Sequence, residues 1–122
     1  MDIRKLQKIV VNALEDIKGK DIEVINTTKL TSMFDRLVIA SGDSNRQVKA
    51  LARNVQDKVR EAGGEIVSVE GEDAGEWVLV DIGDVVVHVM QPTVRQYYNL
   101  EELWSVTPAQ RRKQVEQQAS AE

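Results

Sequence analysis

The stretch that most restricts the fold is "EWVLVDIGDVVVHVMQ", residues 76–91. Two Val-rich runs flank Ile82, Gly83 and Asp84, and a short turn there makes the runs antiparallel neighbours. Side chains along a strand alternate between its faces. A turn centred on Ile82-Gly83 or on Gly83-Asp84 gives the same parity. Val78, Val80, Ile82, Val85, Val87 and Val89 share one side, and Trp77, Leu79, Asp81, Val86, His88 and Met90 share the other. The first set is wholly β-branched and reads as core. The second is mixed, as expected of a face that is partly covered or meets a partner.

The elements around this hairpin follow from periodicity. Ile3, Leu6, Ile9, Val10, Ala13, Leu14 and Ile17 recur at helical spacing, with Gly19 as a stop. "DIEVIN" (21–26) and "FDRLVIAS" (34–41) read as strands on either side of a polar link. Ser44 with Gln47 three residues on has the form of a capping box, and Val48, Leu51, Ala52, Val55 and Val59 form the buried stripe of a second helix that ends at Gly63-Gly64. "EIVSVE" (65–70) is a third strand, which a right-handed crossover lays parallel to strand 34–41. "YYNLEELW" (97–104) suits a short helix packing Leu100, Leu103 and Trp104, with Pro108 soon after its end. The expected architecture is α+β: one two-layer domain over residues 1–105, a mixed five-stranded sheet with two main helices on one face, and a short C-terminal helix. The other sheet face is then largely open. Residues 106–122 form a polar tail, with a single Val from Pro108 onward, read as a frayed helix or a disordered segment.

Composition narrows the function. A chain of 122 residues is one domain by prior, able to bury roughly two-thirds of its unfolded surface. With no Cys and a single His, a disulfide framework and a thiolate site are excluded and a zinc site has few ligands. No residue pattern requires a cofactor. The apolar runs are strand-length and the N-terminus is a charged amphipathic pattern, which points to a soluble, cytoplasmic protein with no membrane partner. A net charge of −4 with scattered Lys and Arg disfavours binding led by nucleic-acid phosphates. An acidic protein is better matched to a basic partner.

Several residues carry candidate chemistry. Trp77 suits either partly buried core or an interface anchor, and the complete aliphatic set on the opposite parity strengthens the anchor reading. "EGEDAGEW" (70–77) places Glu70, Glu72, Asp73 and Glu76 before Asp81 and Asp84, either as a solvated loop or as an acidic rim for a basic surface. The carboxylate spacing matches no calcium loop. His88 reads as the hydrogen-bonded partner of a nearby carboxylate or carbonyl; as a general base it lacks a nucleophile, because Ser41, Ser44 and Ser68 have no G-x-S-x-G context. "ASGDSNRQ" (40–47) offers helix N-terminal amides to an anion, or is simply a capped helix start. Arg46 and Arg95 read as surface residues.

"DRLVIASGDSNRQVKALA" (35–52), "VEGEDAGEWVLVDIGDVVVHVMQ" (69–91) and "RQYYNLEELW" (95–104) together resemble the ribosomal silencing factor family, also called the Iojap or RsfS family, from about residue 4 to about 105. The resemblance rests on S-G-x-S-x-R-Q, E-G before W-x-x-x-D-x-G-D, H-V, and R-x-Y-Y-x-L-E-x-L-W. It implies a nucleotidyltransferase-like fold without enzymatic activity. It further implies binding to the large ribosomal subunit through ribosomal protein L fourteen, which sterically blocks the small subunit and represses translation under nutrient limitation. The transferase pattern would want G-S and D-x-D, whereas this chain has Gly42-Asp43-Ser44 and Asp81-x-x-Asp84. Parity and resemblance together place the docking surface on Trp77, Leu79, Asp81, His88 and Met90, rimmed by Glu70, Glu76, Arg95 and Tyr98. A homodimer through the same face is compatible with this reading. The alternative from another class is a nucleotide-binding or nucleotidyl-transferring enzyme using Ser44, Asp81, Asp84 and His88.

Overall fold

A computed structural model describes residues 1–104 of the chain; the expectations for Pro108 and the polar tail lie outside the described residues. The order is α1 (Ile3–Asp16), β1 (Lys20–Asn26), β2 (Arg36–Ser41), α2 (Asn45–Glu61), β3 (Ser68–Glu70), β4 (Trp77–Asp81), β5 (Val85–Met90), α3 (Pro92–Tyr98) and α4 (Leu100–Trp104). The strands form one mixed sheet in the order β1-β2-β5-β4-β3. β2 and β5 are parallel and the other pairs antiparallel. This is the expected α+β domain.

Helix α2 starts as its capping box predicts. Ser44 Oγ accepts from the Gln47 amide at 3.1 Å, and Gln47 Oε1 accepts from the Asp43 amide at 2.7 Å. The same Gln47 donates through Nε2 to the carbonyls of Ile17 and Lys18, which ties the end of α1 to the start of α2. Both helices lay their apolar stripes on Val38, Ala40, Val78, Val80, Val87 and Val89, together with Ile82 and Val85. The β-branched set of the hairpin is therefore core, as its parity required.

The hairpin register pairs Trp77 with Met90, Leu79 with His88 and Asp81 with Val86. Ile82 donates to the Val85 carbonyl at 2.9 Å, so the turn is centred on Gly83-Asp84, with Gly83 at φ +90. Strand β3 runs in the same direction as β2, as a crossover demands, but β5 and β4 lie between them. The later hairpin fills the gap that the crossover spans.

Two expectations are corrected. The C-terminal helix is two helices: Pro92 opens α3 in its first turn, and Asn99 in the left-handed conformation at φ 48 breaks it from α4. The second sheet face is also not largely open. Leu37, Ile39, Val86 and Met90 form a second buried cluster, closed by Phe34, Val94, Leu100 and Trp104. Phe34 and Trp104 meet edge to face with centroids 5.2 Å apart. Strand β5 is buried along its whole length because it lies between β2 and β4 with cover on both faces. What stays accessible on this face is the β4–β3 side.

Candidate functional site

The accessible part of the second face is a cleft of about 380 Å³ lined by Glu70, Gly71, Trp77 and Leu79. Trp77 and Leu79 are half-buried, their far sides resting on the second cluster. Glu70, opposite Leu79 in the β3–β4 register, is exposed at the cleft's edge. Gly71 is needed for the close approach: at φ +83, a Cβ there would lie 2.0 Å from the Trp77 carbonyl oxygen. Of the cleft residues it is the one missed from sequence, although the E-G before the tryptophan was a visible signal.

The indole of Trp77 is held from two sides. Its Nε1–H donates to His88 Nδ1 at 2.9 Å, and the Tyr98 ring lies against it with centroids 4.8 Å apart. Tyr98 is 54% exposed and Tyr97, in edge-to-face contact with it, 82%. His88 is 9% exposed, and burial pushes its imidazole down from the ordinary 6.5 to about 4. It is therefore neutral at pH 7, and an accepting Nδ1 places its proton on Nε2. Its partner is an indole, in place of the expected carboxylate or carbonyl.

The remaining predicted site residues divide. Met90 is 0% exposed, sealed beneath the second cluster, so it supports the site from below and offers no surface. Asp81 lies at the far end of β4 and turns inward, its Oδ1 accepting from the Gly83 amide at 2.8 Å. Glu76 is exposed. Arg95 is neither a surface residue nor a rim: its side chain is 13% exposed. It donates to Ser41 Oγ at 2.9 Å, pairs with Glu23 at 3.5 Å and bonds Glu101. It is the strut that fastens α3 and α4 to β1 and β2.

The residues of the enzyme alternative are not assembled. Ser44 caps α2 just beyond the Ser41–Met90 end of the sheet, whereas Asp81 and Asp84 flank the turn at the opposite end, beside Arg36 and Val85. Five strand residues, about 16 Å, separate the ends. The amides of Asp43 and Gln47 at the helix start are already used by Gln47 and Ser44, and Lys20 pairs with Asp43. Among the described residues no group of three or more His, Asp or Glu could hold a metal ion, and no helix is long and apolar enough to cross a membrane.

The family profile described as "Ribosomal silencing factor during starvation" matches residues 1–122. The chain belongs to the ribosomal silencing factor family, RsfS. It is 62% identical over 104 residues to the ribosomal silencing factor RsfS of Chromobacterium violaceum, covering 85% of each chain. It is 40% identical over 108 residues to RsfS of Bacillus subtilis, with 88% of this chain and 92% of that one covered. A crystal structure of a Chromobacterium violaceum protein at 62% identity superposes with a TM-score of 0.85 over 86% of this chain and 88% of that one. RsfS membership accompanies an accessible cleft at Trp77 and Leu79, and Ser44 lies at the opposite end of the sheet from Asp81 and Asp84.

Proposed function

We propose that this chain is a cytoplasmic ribosomal silencing factor. In this reading it docks on the large ribosomal subunit through protein L fourteen, blocks the small subunit by occupying the joining surface, and so represses translation when nutrients are short. The observation that carries the silencing role is the RsfS family match over residues 1–122. What supports the location is the cleft lined by Trp77, Leu79 and exposed Glu70, with the Tyr98 ring against Trp77 and the exposed Glu76 next to Trp77 in the chain. An apolar centre with acidic neighbours complements a basic ribosomal protein, and steric blockade requires affinity and placement but no bond-making.

The test is co-sedimentation of the protein with separated large and small subunits, with Trp77→Ala alongside, followed by a subunit-joining assay. Wild type should travel with the large subunit only and suppress joining. Removing an anchoring Trp should weaken binding about thirtyfold while circular dichroism stays native. Binding to neither subunit would sink the reading. Sedimentation of the free protein at the same concentrations tells whether the cleft also pairs two copies, as the homodimer expectation holds.

A further inference from the structure

The half-buried Trp77 ring is held by one hydrogen bond and one ring contact. Trp77 faces Met90 across the hairpin and His88 faces Leu79, so the indole and the imidazole are diagonal neighbours on one face of an antiparallel pair. They use that diagonal for the 2.9 Å hydrogen bond from Trp77 Nε1 to His88 Nδ1. An indole nitrogen is a donor only. His88 itself belongs to the strand with ladder partners on both sides, Ile39 of β2 and Leu79 of β4. It is too buried to form much of a contact surface of its own.

We propose that His88 is a positioning residue for docking: from within the sheet it fixes the Trp77 indole, through the Nε1–H···Nδ1 bond, in the orientation that forms the cleft wall. This rests on the docking role of Trp77 proposed above. The bond works together with Tyr98, which bounds the ring at a centroid distance of 4.8 Å. Without the acceptor, the indole is free to turn about χ2 toward water, and docking then has to order it. Burial keeps the imidazole neutral, so the Nδ1 lone pair is available at neutral pH.

The experiment compares wild type, His88→Leu, His88→Asn, Trp77→Ala, Trp77→Phe and the His88→Leu/Trp77→Phe pair. The readouts are affinity for isolated large subunits, the indole N–H resonance of Trp77, and the melting temperature. Leu fills the space without an acceptor, whereas Asn places an oxygen near the Nδ1 position. His88→Leu should weaken binding about tenfold and move the indole resonance to its solvent-exposed position. His88→Asn should restore both, and His88→Leu should add no further loss when Trp77 is already Phe. Wild-type affinity of a folded His88→Leu with a displaced indole overturns the proposal, as does an equal loss on His88→Leu in the Trp77→Phe background. If His88→Leu fails to fold, His88→Asn decides: indole in place with binding kept supports the proposal, and either one without the other overturns it. If Trp77→Ala binds as wild type, the docking reading has failed first, which separates that failure from one confined to His88.

Discussion

His88 shows how one residue's chemistry depends on its neighbours. As the single His of the chain it gives an unambiguous titration signal. Its folded pKa of about 4 lies below the unfolded 6.5, so the unfolded chain takes the proton first as pH falls. The contribution to stability is fully present above 6.5, is lost as pH falls toward 4, and amounts to about 3 kcal/mol at most. Urea denaturation between pH 7 and 4.5, with His88→Asn as the reference in which only the carboxylates titrate, should show the extra loss in wild type. Equal pH slopes would contradict it. That His88 makes a hydrogen bond within the fold was legible from its place between valines. The identity of its partner was not, because a diagonal contact depends on rotamers that strand parity does not specify.

At the scale of elements, the segment after β5 decides how much of the second face remains free. Arg95 has little contact with solvent and holds Ser41, Glu23 and Glu101 at once, fastening α3 and α4 across β1 and β2. Removing it leaves Glu101, itself largely covered, without the guanidinium. Arg95→Met should therefore cost about 3 kcal/mol and increase hydrogen exchange over residues 92–104 and in β5 around Met90, while the α1–α2 side stays protected. Unchanged exchange would show that the apolar contacts of Leu100 and Trp104 suffice. The ends of these helices follow from local chemistry, Pro92 in a first turn and Asn99 in the left-handed region. The apolar spacing of Leu100, Leu103 and Trp104 fits one helix over 97–104, but the left-handed Asn99 breaks it.

Across the whole molecule, both faces of one sheet carry a buried cluster, and the second face also keeps an accessible cleft at Trp77 and Leu79. Leu51 is 0% exposed within the cluster under α1 and α2, whereas Leu79 is half-buried in the cleft wall. Leu51→Ala should lower unfolding free energy by about 2–5 kcal/mol and leave binding per folded molecule unchanged. Leu79→Ala should weaken large-subunit binding with a smaller stability loss. Denaturation curves read beside subunit titrations check both, and a binding loss in folded Leu51→Ala would place the contact surface elsewhere.

The sequence by itself determined the α1 and α2 stripes, the capped start of α2 and the division of the hairpin into two faces, because each is set by residues a few positions apart. It also pointed to Trp77, Leu79, Glu70 and Tyr98, which the fold brings to one place. Only the tertiary structure decided that Met90 is sealed in and that Arg95 is a strut. It alone also seats His88 beneath Trp77 and places β5 between β2 and β4. Parity tells which side of a strand a residue faces. Whether that side meets water or chain depends on segments far away in sequence, here α3 and α4 folding back over β2 and β5.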